Sequence, residues 1–233
     1  MARFAPVLAF ILALMPVAAA RADSPVVVEL FSSQGCSACP PADALLAELA
    51  TRDDVIALGL HVDYWDYIGW ADTFASPQFT RRQYAYARAA GRNMVYTPQM
   101  IIGGSERVMG NEPMQVADLI MSHRDVEYPV RISLSRADAQ LTVRAEATMA
   151  LPEYPMIVQI VRYDPMQTVE ITRGENAGNT ITYANIVTEW TRIGEWTGEA
   201  PFSLSLADAG DDPVVAIVQM AGPGAILGAA RLD

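Results

Sequence analysis

Residues 26–62 read as strand, Cys-X-X-Cys, helix, strand, an order that few folds accept. The run Val26-Val27-Val28-Glu29-Leu30-Phe31 is apolar and largely β-branched except at Glu29, as in a strand buried on both faces. Residues 55–62 form a second such run. Between them, Leu45, Leu46 and Leu49 recur at helical spacing behind Pro40 and Pro41, which a first helical turn tolerates, so the pattern predicts a helix over 38–50. Strand, crossover helix and strand form a parallel, right-handed unit, so the segments after both strands emerge on one edge of the sheet. After the first strand come Cys36 and Cys39, the only two cysteines; after the second comes the most aromatic stretch, 64–74.

Two cysteines three residues apart at a helix start are suited to redox chemistry. Free backbone N–H groups and the positive end of the helix dipole stabilise a thiolate there, so Cys36 is the candidate nucleophile and Cys39 the resolving thiol. As a staple the pair would do little. A loop this short contributes about 2 kcal/mol on a chain-entropy basis, against about 4.7 for a hundred-residue loop. A metal site is the weaker alternative: Cys36 and Cys39 would need a further ligand such as His61, and the chain has only two histidines. Eleven methionines, among them Met94, Met100, Met109 and Met114, add a copper-carrier alternative, although their spacing also fits core packing. No cofactor is expected.

Residues 1–22 read as a secretory signal: Arg3, an apolar run interrupted by proline, and Ala20-Arg21-Ala22 as the cleavage site. No later run is long enough to span a membrane. The expected product is secreted or periplasmic, in a compartment that permits disulfides. Without Arg3 and Arg21 it is two units more negative than the −11 of the whole chain, a poor match for nucleic acid. All sixteen basic residues are Arg, which excludes Schiff-base lysine chemistry and a phosphate-loop lysine.

Further along, 77–90 predicts a second helix. Residues 95–104 and 106–110 predict two short strands across a Gly-Gly turn, and a third helix opens at Asn111 or Glu112 and runs to about His123. From 127 the pattern becomes short alternating and apolar runs with turn residues between them, which predicts an all-β, sandwich-like domain over 127–233. Its one dense polar loop, Arg173-Gly174-Glu175-Asn176-Ala177-Gly178-Asn179-Thr180, is read as a turn that docks one half on the other, or whose Arg173, Glu175 and Asn176 reach toward the thioredoxin-like edge and help select the partner.

The order β-α-β-α-β-β-α with Cys-X-X-Cys-Pro and Thr97-Pro98 resembles the thioredoxin fold over 23–126, making the expected fold class an α/β thioredoxin-like domain followed by an all-β one. More closely, Ser33-Gln34-Gly35-Cys36, Cys39-Pro40-Pro41-Ala42-Asp43, His61-Val62-Asp63-Tyr64-Trp65-Asp66, Tyr96-Thr97-Pro98-Gln99 and Gly174 to Gly178 resemble a bacterial family of secreted thioredoxin-like proteins of unassigned function, domain of unknown function 1223. The resemblance implies a cis-Pro98 against Cys36, a Thr97 backbone offered to an incoming peptide, and Glu29 as the buried acid that moves the proton of Cys39. Glu29 stands one residue further from Cys36 than the acid of thioredoxins. The function expected is thiol–disulfide exchange with protein or small-molecule thiols and disulfides; a non-catalytic binding module is the alternative.

Overall fold

The computed structural model describes residues 24–208 and 210–233; the expected signal segment 1–22 lies outside them. In chain order the elements are β1 (Val26–Ser32), α1 (Pro40–Leu49), β2 (Val55–His61), a 3-10 turn (Asp66–Ile68), α2 (Pro77–Ala89), β3 (Gln99–Ile102), β4 (Glu106–Met109) and α3 (Pro113–Arg124). Then come only strands: β5 (Val130–Ala137), β6 (Gln140–Ala147), β7 (Met156–Glu170), β8 (Thr180–Trp196), β9 (Phe202–Ala207), β10 (Val214–Met220) and β11 (Ile226–Leu232).

Each helix starts where its sequence requires. Pro40, Pro77 and Pro113 open the three helices, where the missing N–H costs nothing. Ser76 caps α2 by accepting from the backbone N–H of Gln78. All seven residues of β1 and of β2 are buried, as the apolar runs require.

The expected division into a helix-rich thioredoxin-like domain and a separate sandwich is corrected by the sheet. The protein is 43% strand and 18% helix, and one eight-stranded mixed sheet, ordered β11-β10-β7-β8-β2-β1-β3-β4, takes strands from both halves. Strands β1 and β2 are parallel, β3 and β4 continue antiparallel beyond β1, and β8 joins β2 in parallel at the pair Gly59↔Ile186. The runs 156–163 and 168–172 merge into β7, which forms a long antiparallel hairpin with β8. The physical reason is that β2 would otherwise have an unpaired outer edge, which β8 occupies. Only β5, β6 and β9 form a second sheet.

Three cores follow from this layering. On one face of β1 and β2, Val28, Leu30 and Ala57 pack against Ala42, Leu46 and Leu49 of α1 and against Val116 and Ile120 of α3. On the other face, Val27, Phe31, Leu58 and Leu60 meet Phe79 and Tyr86 of α2 and continue into Val161, Val187, Val215 and Ile217. A third core lies between the two sheets, with Val158, Ile160 and Ala216 against Leu141, Val143 and Ala145.

Candidate functional site

The turn after β1 is built to present two sulfurs. Gly35 N–H donates to Ser33 Oγ, Cys36 N–H to the Ser33 carbonyl at 3.1 Å, and Cys39 N–H to the Cys36 carbonyl at 3.2 Å. Cys36 and Cys39 form a disulfide with their Cα atoms 5.4 Å apart, and Cys39 is the N-cap of α1. The sulfurs are therefore at the positive end of the helix dipole, as the spacing predicts.

Behind the turn is a buried polar network centred on Asp72. Its Oδ2 accepts from Gln34 N–H and faces His61 Nδ1, both at 2.7 Å, and its Oδ1 accepts from Phe74 N–H at 2.8 Å. The Gln34 side chain is fixed in turn by Trp70 Nε1 at 2.8 Å and by Thr73. The His61 ring meets Phe74 and Tyr183 edge-on, with centroids 5.2 and 5.0 Å away. Burial pulls the His61 imidazole down, but the hydrogen bond and charge of Asp72 and the charge of Asp43 outweigh it, so it is held above its ordinary value.

Asp43 lies near this network and interacts with it through charge. Its backbone N–H closes the first α1 turn on the Cys39 carbonyl at 3.1 Å, so the two side chains share a helix face one turn apart. Burial pushes the Asp43 carboxyl up to about 7, with the charge of His61 and the neighbouring Ser32 hydroxyl pulling against it. Ser32 Oγ, Asp43 Oδ2 and Tyr183 OH are buried, and none makes a well-formed hydrogen bond, with Ser32 a polar neighbour of Asp43.

The match to known proteins spans this whole arrangement. The model of a family described as a protein of unknown function, DUF1223, matches residues 27–219. The chain belongs to that family. A crystal structure of a protein from Agrobacterium tumefaciens is 33% identical, covers 89% of this chain and 93% of its own, and superposes with a TM-score of 0.78. No curated protein matches.

Of the residues singled out in the sequence, the structure brings some to the disulfide and turns one away. The Thr97–Pro98 peptide is cis, and Thr97 Oγ1 accepts from Trp65 Nε1 at 2.7 Å, while Trp65 also lies against Gly35. Both Trp65 and Trp70 act as struts for the cysteine turn, and Tyr67 at 82% exposure is the member of that stretch left to solvent. Asn176, from the 171–179 loop, is buried and donates through Nδ2 to the carbonyls of Gln34 at 2.9 Å and Cys36 at 3.0 Å; Arg173 and Glu175 are exposed.

Glu29 is held elsewhere. It points to the α2 face of β1, away from α1, and Arg82 grips both its oxygens at 2.6 and 2.9 Å while Tyr86 OH donates at 2.6 Å. The acid on the Cys39 side is Asp43. A metal set of Cys36, Cys39 and His61 is not assembled: the sulfurs are bonded to each other, His61 Nδ1 is engaged by Asp72, and among the described residues no group of three or more His, Cys, Asp or Glu is placed to hold a metal ion.

One expectation is not met. Cys36 is only 2% exposed and Cys39 is fully buried, with Ser37 and Ala38 open to solvent above them. Around the turn, Asn176 holds the Gln34 and Cys36 carbonyls and Trp70 holds the Gln34 side chain.

Proposed function

We propose that this family member exchanges disulfides with protein or small-molecule thiol partners in an exported compartment, through Cys36 and Cys39. The observation that carries the reading is the disulfide at the start of α1 with a buried, near-neutral carboxyl one turn behind it. In the reductive half, a partner thiolate attacks Cys36 Sγ and the Cys36–Cys39 bond breaks. The electron pair leaves on Cys39 Sγ, which takes the proton of Asp43, leaving the carboxylate beside His61. In the return direction Asp43 removes that proton, and the Cys39 thiolate attacks Cys36 Sγ to release the partner as its thiolate. Thr97, which accepts from Trp65 Nε1, and the cis-Pro98 are the backbone we propose for the partner chain to pair with. An insulin-reduction assay tests this. The protein should accelerate turbidity and the Cys36→Ser variant should not; equal rates for the two remove the reading.

A second reading, a binding module with an inert disulfide, is favoured by the burial of Cys36. It requires that dithiothreitol reduce the bond only when the protein unfolds. Reduction of the folded protein at neutral pH, followed by thiol titration, is the outcome that excludes it.

A further inference from the structure

Apart from the disulfide, the molecule has a concave site at the C-terminal end of α2. The segment after that helix and strands β3 and β4 enclose a cleft of about 680 Å³, lined by Arg92, Asn93, Met94, Tyr96, Gln99 and Arg107. That volume is in the range of small-molecule sites. Among the described residues no Asp or Glu lines it, in a chain whose net charge is −11. The cleft is thus a local reversal of the molecule's charge.

Arg107 is positioned in advance. Its Nη2 donates to the Tyr86 carbonyl at 2.7 Å, which tethers that end of the guanidinium. A guanidinium carries five N–H donors and the Tyr86 carbonyl takes one, so Arg107 has donors to spare for an acceptor in the cleft. Arg92 is exposed on the same cleft. Two planar guanidinium forks match a carboxylate, with charge-assisted bonds of about twice the ordinary strength. Met94 at 83% and Tyr96 at 40% exposure offer apolar surface beside them, which a bare inorganic anion would leave wet.

We propose that this cleft binds a small organic carboxylate with an apolar, ring-sized body, its carboxyl on Arg92 and Arg107 and its body on Met94 and Tyr96. The cleft is lined by none of the cysteine-turn residues, although its Tyr96 and Gln99 flank the Thr97–Pro98 corner, and the proposal stands whether or not Cys36 exchanges. Calorimetry with N-acetyl-phenylalanine and with its neutral amide, N-acetyl-phenylalaninamide, tests it on the full protein. The acid should bind about tenfold more tightly than the amide, and Arg92→Ala, at an exposed position, should weaken the acid about tenfold without affecting the amide. Arg92→Lys should recover part of the loss, because the charge returns without the fork. Equal binding of acid and amide, unchanged binding by Arg92→Ala, or no binding of either probe overturns the proposal; displacement of the acid by equimolar inorganic phosphate overturns the requirement for an organic body.

Discussion

At the residue scale, the choice between two buried acids decides how a proton reaches Cys39. The Glu29 carboxylate is closed into a bidentate pair with Arg82, which also lies 3.7 Å from the Trp190 ring centroid. Glu29→Gln leaves that guanidinium uncompensated and should destabilise the protein by about 3–5 kcal/mol in a denaturant titration, with no change in disulfide-exchange rate per folded molecule. Asp43 predicts the reverse. An ordinary Asp titrates near 3.8, and in the folded protein Asp43 is raised to about 7. Its contribution to stability is therefore present in full below about pH 4 and is lost as pH rises through about 7. Asp43→Asn should abolish that fall, on the order of a few kcal/mol between pH 5 and 8, while slowing exchange about a hundredfold. Melting curves at the two pH values and stopped-flow thiol release measure both. The cis Thr97–Pro98 bond followed from the family resemblance, and the Cys36–Cys39 pair was legible because its spacing is a local signal. Asp43 was not, because an Asp in the first turn of a helix is ordinary; only its burial against His61 and Asp72 sets it apart.

At the scale of elements, the junction of β2 with β8 is what makes one sheet from two halves. It depends on two residues that allow close approach. A side chain at Gly59 would meet the carbonyl oxygens of Ala184 and Asn185 at 3.3 and 3.5 Å. Asn185 itself takes a left-handed backbone, φ 47°, and reaches across with Nδ2 to the Ala57 carbonyl at 2.9 Å. Asn tolerates that conformation better than a residue without a polar side chain. Asn185→Ala removes the bond, leaves a buried carbonyl unpaired and keeps the strained backbone, so it should cost about 1–3 kcal/mol in chemical denaturation. The strands themselves were readable from period-two and continuous apolar runs. The crossover helix and the Gly-Gly turn also gave the β1–β2 and β3–β4 pairings; the β2–β8 pairing was not readable, because a strand's hydrophobic pattern reports which face is buried and says nothing about which distant strand joins its edge.

At the scale of the whole molecule, the shared sheet predicts how the chain can be cut. The sequence places a boundary at 126/127, between α3 and β5, and a self-sufficient 23–126 unit would fold without the rest. In the structure, removal of 127–233 strips β8 from the outer edge of β2 and uncovers the face where Leu58 and Leu60 meet Val161, Val187, Val215 and Ile217. It also removes Gln219, which donates to Tyr86 OH at 2.8 Å and accepts from Arg82 at 3.2 Å, and the Trp190 ring over Arg82, so the Glu29 pair loses its outer wall. Each exposed large aliphatic side chain forfeits roughly 1.5–3 kcal/mol of burial. Several such losses together exceed the 5–15 kcal/mol by which a folded domain of this size is stable. A fragment of residues 24–126 should therefore show no cooperative thermal transition by circular dichroism and should bind a hydrophobic dye. Mixing it with a separately produced 127–233 fragment should restore the transition, since β2 and β8 then recover their partners; a fragment that melts cooperatively alone would show that the β1–β4 face needs no cover from β8.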